Sequence, residues 1–262
     1  MLLSGMSRAW AAVLLDEGSG TYLTRIGISV ATFAVLYGAG LAVAKAFPSS
    51  AIASRPSVIY GTVHSVAVSC VALASISGLL PLSAWTDYGL PCSMGYFLFD
   101  TLACSLPKRD VGMLAHHLVT FAVHVPVGVA SGALITGAGN ATWAIQVSAL
   151  TYLCEVPVPL LNVRWYMLKT LKKHSPWYTL NNALLLLLYS GTRLGMIAWS
   201  AFTILPRRDE FAAANSSDIV GVFLVSHAAI FAMSGGWLAM LLSNGLRSFL
   251  TFTPGEATHK RD

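Results

Sequence analysis

The stretch LAHHLVTFAVHVPVGVASGALIT, residues 114–136, decides the architecture. It is apolar over the length that a helix rising about 1.5 Å per residue needs to cross a hydrocarbon core of about 30 Å. Yet it carries His116, His117 and His124. A helix facing lipid all round would not hold three imidazoles, and a soluble helix of this length would show a broad polar face. A membrane-spanning helix with its polar side turned toward other helices satisfies both constraints.

Outward from this stretch the same pattern repeats. Apolar blocks separated by short polar connections fall at about 24–46, 58–80, 90–106, 142–163, 179–205 and 219–243. With 114–136 they predict an all-α polytopic membrane protein of about seven transmembrane helices. Composition agrees: 55% of the 262 residues are hydrophobic and 10% charged, against roughly 45–50% and 25% in soluble domains. Cys70, Cys92, Cys104 and Cys154 show no CxxC pairing and lie in or beside apolar blocks, so neither a disulfide framework nor a metal knuckle is expected.

The ends differ from the middle. Leu2, Leu3, Met6, Trp10, Val13 and Leu14 recur at near-helical spacing and predict an interfacial segment before the first span; the apolar patch 9–15 lacks the cleavage site of a signal peptide. Residues 1–50 are thus read as that segment plus the first transmembrane helix. The tail, residues 246–262, is read as a disordered cytoplasmic extension, TPGEATHKRD having no apolar face.

Charge sets the expected orientation. The connections around 47–57, 107–113 and 164–178 and the C-terminal tail would share one side. That side holds Lys45, Arg55, Lys108, Arg109, Arg164, Lys169, Lys172, Lys173, Arg247, Lys260 and Arg261, eleven of the sixteen basic residues. The positive-inside rule makes it cytoplasmic and the N-terminus luminal. It also accounts for the net charge of +5 without nucleic acid as a partner. Two sequons, at Asn140 and Asn215, fall in connections expected on the luminal side.

The ionisable residues inside the spans carry the functional reading, because each costs at least about 2.5–3.5 kcal/mol at the bilayer centre unless it is paired, solvated or used. They are Asp100, His116, His117, His124, Glu155 and Arg193, with His64 and His227 read as structural. At about 100° per residue, His116, His117, Thr120 and His124 fall within an arc of roughly 100°. Glu155 and Asn162 share a face of the next span, where Pro157 and Pro159 free carbonyls and bend the helix. Asp100, His116, His117, Glu155, Asn162 and Asn182 all lie within roughly 12 Å of the cytoplasmic helix ends. A pocket in the cytoplasmic half, with apolar walls, would suit an acyl chain whose head stays near water. For any one histidine the competing role is hydrogen-bonded packing between helices. Arg193 is expected to offset one of the carboxylates, and Asn181 to cap the start of the sixth span.

Five stretches resemble the TLC-domain family, which contains the ceramide synthases and their non-synthase relatives. His116-His117-Leu118-Val119-Thr120 resembles its paired-histidine signature. Glu155 to Trp165, with Pro159, Asn162 and Arg164 in register, resembles the E-x3-P-x2-N-x-R-W segment of the non-ceramide-synthase branch. Asn182 to Arg193 resembles the following helix, Gly95 to Asp100 the aspartate-bearing helix, and Arg55 to His64 the opening of the domain. The resemblance spans residues 51–245 and implies six helices in a TLC-type bundle around a central cavity. It singles out Asp100, His116, His117, Glu155, Asn162, Arg164 and Arg193. Ceramide synthases carry an aspartate-rich segment after the histidine pair; this chain has only Glu155 there.

The resemblance implies a role in membrane lipid homeostasis in the endoplasmic reticulum: binding, regulating or acylating fatty-acyl lipids, whether sphingolipids or phospholipids. Membrane lipids are the expected partners, a fatty acyl-CoA a candidate substrate and a homodimer a candidate assembly; no cofactor or metal is expected. If the protein is an enzyme, it is an acyltransferase of ceramide-synthase-like type. His116 or His117 would then act as general base or acyl acceptor, oriented by Asp100 or Glu155. Thr120, His124, Asn162, Arg164, Asn182 and Arg193 would be polar residues of the lipid pocket or the packing around it. The alternative is a non-enzymatic cargo receptor or membrane-protein assembly factor, in which the polar set serves packing alone.

Overall fold

The computed structural model describes residues 19–129, 142–170, 175–210 and 217–250. The interfacial segment, both sequon asparagines, Lys172 and Lys173, and the tail beyond residue 250 lie outside the described residues. Among those described, every regular element is helical. The helices are α1 (Ser19–Ala46), α2 (Ser57–Ile76), α3 (Leu90–Asp100), α4 (Val111–Val129), α5 (Thr142–Tyr152), α6 (Val158–Lys169), α7 (Pro176–Leu188), α8 (Met196–Ile204) and α9 (Ser217–Leu250).

They assemble into fewer membrane-crossing rods. Gly20–Ala46, Ser57–Ile76, Thr142–Lys169, Pro176–Glu210 and Phe223–Ser243 are long and apolar enough to span a bilayer, and Val111–Phe121 is a shorter apolar helix. Helix α3 adds a further rod, extended by π-helical turns at Trp85–Gly89 and Thr101–Ser105. The protein is thus a multi-pass bundle. Within the fourth expected span, the part beyond Val129 lies outside the described residues.

Local chemistry sets the helix ends. The second expected span stops short, at Ile76 rather than residue 80, because the chain reverses at Gly78 with φ of 78°, a backbone region that costs glycine little. Between α3 and α4 the reversal is tighter still. Arg109 takes a left-handed conformation, φ 53°, and Asp110 then caps α4 by accepting from the Met113 amide at 3.1 Å. The expected cap at the sixth span is corrected. Ser175, not Asn181, caps α7, accepting from the Tyr178 amide at 3.2 Å with Pro176 in the first turn. Serine followed by proline supplies the preferred cap and first helical residue. Asn181 lies in the second turn of α7 and instead reaches another helix, its Nδ2 donating to the Leu160 carbonyl of α6 at 3.1 Å.

Burial separates the centre of the bundle from its rim. In the most apolar window of Thr142–Lys169, 56% of residues are buried inside the protein, against 17% for Gly20–Ala46. The α5–α6 rod is therefore central and α1 peripheral, with Ile28 and Val35 of α1 turned outward. Helix α1 packs against α3, pinned at one end where Arg25 pairs with Asp87 and lies over the Tyr88 ring. Midway, the two backbones nearly touch. A Cβ on Gly95 would lie 2.3 Å from Ser29 Cβ and 2.9 Å from both the Ile26 oxygen and the Val30 nitrogen.

That approach requires glycine. Gly95→Ala is expected to lower the thermal unfolding temperature of the purified protein, by a destabilisation of about 1–3 kcal/mol, because backbone must move apart. Gly38→Ala, on the same α1 but with nothing within 4 Å of a new Cβ, is expected to leave it unchanged or raise it slightly through helix propensity.

Candidate functional site

The polar residues of the spans converge where the helices are least regular. Asp100 ends α3 and immediately precedes the π-helical turn Thr101–Ser105. Glu155 sits in a 3₁₀ turn, Leu153–Glu155, in the break between α5 and α6 that Pro157 and Pro159 enforce. Arg193 lies in a second π-helical stretch, Tyr189–Gly195, between α7 and α8. Departures from the α-helix redirect side chains, and π turns recur at functional positions for this reason.

Around Asp100 both carboxylate oxygens have a donor. Tyr60 of α2 donates to Oδ1 at 2.5 Å, and Ser105 donates to Oδ2 at 2.9 Å. In an ideal α-helix, residues five apart point well away from each other; the π turn carries Ser105 back over Asp100. Nδ1 of His117 lies 3.8 Å from the same Oδ2, an electrostatic contact too long for a hydrogen bond, and 3.0 Å from the Thr101 hydroxyl oxygen.

Glu155 and Arg193 form the second centre. An Arg193 terminal nitrogen (Nη2) donates to Oε1 of Glu155 at 3.0 Å, both residues being buried. Two aromatic rings flank the guanidinium, Trp237 at 5.3 Å and Tyr189 at 5.5 Å, so its faces meet π-electron density rather than lipid. His116 packs between these centres, its ring 5.6 Å from His117 and 5.7 Å from Trp237 and from Phe97.

The two centres face one cavity of about 540 Å³, within the range of small-ligand sites. Asp100, His116, His117, Glu155 and Arg193 line its polar part, Val158, Leu161, Met240 and Leu241 its apolar part. Arg55 and Lys108 also line it, from the connections before α2 and α4, as does Arg164, which the structure places within α6 rather than in the connection expected from residue 164 onward. Several buried polar atoms here have no hydrogen-bond partner among the described residues: His116 Nδ1, His117 Nε2 and Arg193 Nε. The same is true of buried atoms away from the cavity, His64 Nδ1, His124 Nδ1 and His227 Nε2 among them, and each such orphan costs roughly 1–3 kcal/mol unless a polar group meets it.

Seven of the ten residues singled out in the sequence line this cavity: Asp100, His116, His117, Glu155, Asn162, Arg164 and Arg193. Asn162 donates to the Thr62 hydroxyl of α2 at 2.7 Å, closing one wall. Thr120, His124 and Asn182 are not among the lining residues. The Thr120 hydroxyl donates to the His116 carbonyl at 2.8 Å within its own helix. His124, about two turns further along α4, packs against Tyr152 and Phe223, with ring centroids 4.9 and 6.3 Å away. Depth along the helix, rather than its face, separates His124 from the other two. Tyr60, Thr101, Ser105 and Trp237 were not singled out. Hydroxyls and rings are ordinary in a helical span, and only the π turn and the tertiary fold give these their partners.

Such a chain is a polytopic helical membrane protein built around a partly open polar cavity. Residues 57–243 match the family model of the TLC domain, and the chain belongs to the TLC-domain family. That family consists generally of membrane proteins linked to lipid metabolism or sensing. No solved structure matches the chain.

Removing either partner of the Glu155–Arg193 pair strands a buried charge. Glu155→Gln and Arg193→Met are each expected to cost about 3–5 kcal/mol in unfolding experiments on the purified protein. The double variant should cost less than the sum, by roughly 0.5–3 kcal/mol. Strictly additive losses would show that the two side chains are not coupled.

Proposed function

We propose that the cavity receives the head end of a fatty-acyl lipid and that the protein acts in membrane lipid homeostasis. The observation that carries this is the pairing of opposite characters in one cavity, which His116, His117, Asp100, Glu155 and Arg193 line together with Val158, Leu161, Met240 and Leu241. An amphiphile matches that division, and family membership points to lipids as the amphiphile.

In this reading residues 51–245 form the TLC domain, 1–50 add an interfacial segment and a seventh helix, and 246–262 are the cytoplasmic end, its first five residues continuing α9 to Leu250. The cationic lining residues Arg55, Lys108 and Arg164 lie on the side that the positive-inside rule makes cytosolic, leaving the N-terminus luminal in the endoplasmic reticulum. His116 and His117 are the candidate catalytic groups, with Asp100 and Glu155 as orienting carboxylates; Asn162, Arg164 and Arg193 shape the pocket. Should the protein catalyse, acyl transfer from a fatty acyl-CoA is the reaction these groups fit, a histidine serving as base or acyl acceptor. Binding without turnover uses the same cavity. A homodimer would place two such cavities in one assembly.

A second reading, that of a cargo receptor or assembly factor, draws on the internal pairing of these groups: Glu155 is paired with Arg193, and each carboxylate oxygen of Asp100 accepts one hydrogen bond. Lipid analysis separates the two. Protein purified in mild detergent is expected to retain a fatty-acyl lipid, detected by mass spectrometry of the extract. A variant with both His116→Ala and His117→Ala should lose it and alter the cellular lipidome. Lipid-free protein together with an unchanged lipidome would overturn the proposal, and recovery of protein clients by proximity labelling would favour the second reading.

A further inference from the structure

His117 can hold its ring proton on either nitrogen, and its neighbours decide which. Thr101 has one hydroxyl proton. Its oxygen lies 2.7 Å from the Phe97 carbonyl, which can only accept, so the proton is committed there. That leaves a lone pair of Thr101 facing His117 Nδ1 at 3.0 Å. Two lone pairs at this distance would repel, so Nδ1 must be the donor. Asp100 acts in the same direction, its Oδ2 lying 3.8 Å from Nδ1 and favouring a proton on that nitrogen. Asp100 is itself held in place by Tyr60 and Ser105.

With the proton on Nδ1, the opposite edge of the ring carries the free lone pair. That atom, Nε2, is buried and has no partner among the described residues, in a side chain that lines the cavity. We infer that Thr101 is a positioning residue that locks His117 in its Nδ1–H form, presenting Nε2 as an acceptor for a hydroxyl or amine on the head of an amphiphile. The inference rests on the cavity being a ligand site, and it adds the chemical group that the ligand must carry. A simple ester or hydrocarbon offers no such donor; a lipid with a free hydroxyl or amine does.

The tautomer is read directly. Full-length protein labelled with ¹⁵N-histidine gives a two-bond ¹H–¹⁵N correlation spectrum whose pattern differs between the two forms, and His117→Gln identifies the His117 signals. Wild-type protein is expected to show the Nδ1–H pattern. Thr101→Ser should keep it, while Thr101→Val, which removes the acceptor, should shift the population toward Nε2–H. An Nε2–H pattern in the wild type would overturn the assignment, whether or not the variants fold, and so would an unchanged Nδ1–H pattern in Thr101→Val.

For the ligand, monooleoylglycerol, dodecylamine and dodecane are added in turn. The Nε2 signal should move with the first two and stay with dodecane. Movement with none, or with all three alike, would overturn the ligand assignment. The tautomer readout needs no bound lipid, so it stands or falls separately from retention of a lipid on purification.

Discussion

The buried pair of Glu155 and Arg193 is the interaction on which the rest of the bundle depends. Each ion alone would carry a desolvation penalty of several kcal/mol in an apolar interior, so each needs the other beside it. The contact at 3.0 Å joins the break between α5 and α6 to the irregular stretch between α7 and α8. It thereby fixes the depth at which two rods cross. Trp237 brings α9 to the same point, its ring 5.3 Å from the guanidinium carbon and 5.7 Å from His116. Three rods and the histidine helix therefore meet around one charge pair.

The membrane supplies the second constraint. Backbone groups freed by a helix break must find partners within the protein, since hydrocarbon offers none. Here the breaks lie between rods, where neighbouring side chains reach in, rather than on the lipid-facing surface. The Leu153 carbonyl, left without its usual donor by Pro157, accepts from the Val156 amide at 3.1 Å, and side chains brace the bend, Asn181 donating to the Leu160 carbonyl and Asn162 to the Thr62 hydroxyl of α2. A cavity results at the point where three helices depart from regular winding. Its polar atoms are then satisfied unevenly: both oxygens of Asp100 have a donor, whereas the two histidines and Arg193 each keep a nitrogen without a partner among the described residues.

Much of this is legible in the amino-acid order, because the bilayer makes both span length and intramembrane charge conspicuous. The apolar blocks mark the rods, and the cost of burying ionisable groups marks Asp100, His116, His117, Glu155 and Arg193 before any fold is known. Pro157 and Pro159 announce the bend beside Glu155. Two things stay hidden. The π turns after Asp100 and around Arg193 follow no simple residue signal, so the reach of Ser105 back to Asp100 and the placing of Thr101 against His117 emerge only in three dimensions. Face alone also misleads for His124, which shares an arc with His116 and His117 but lies too far along α4 to reach the cavity, and packs on Tyr152 instead. Asn181 shows the limit of capping rules: a better cap, Ser175, stood just upstream.

The central claim is that this cavity is occupied by an amphiphile, head toward the histidines and chain along Leu161, Met240 and Leu241. A cryo-electron microscopy structure of the protein in nanodiscs made from its native lipids tests it most directly. Elongated density running from His117 along those apolar side chains is the expected result. A cavity filled only by water, or closed by the side chains that line it, would contradict the claim.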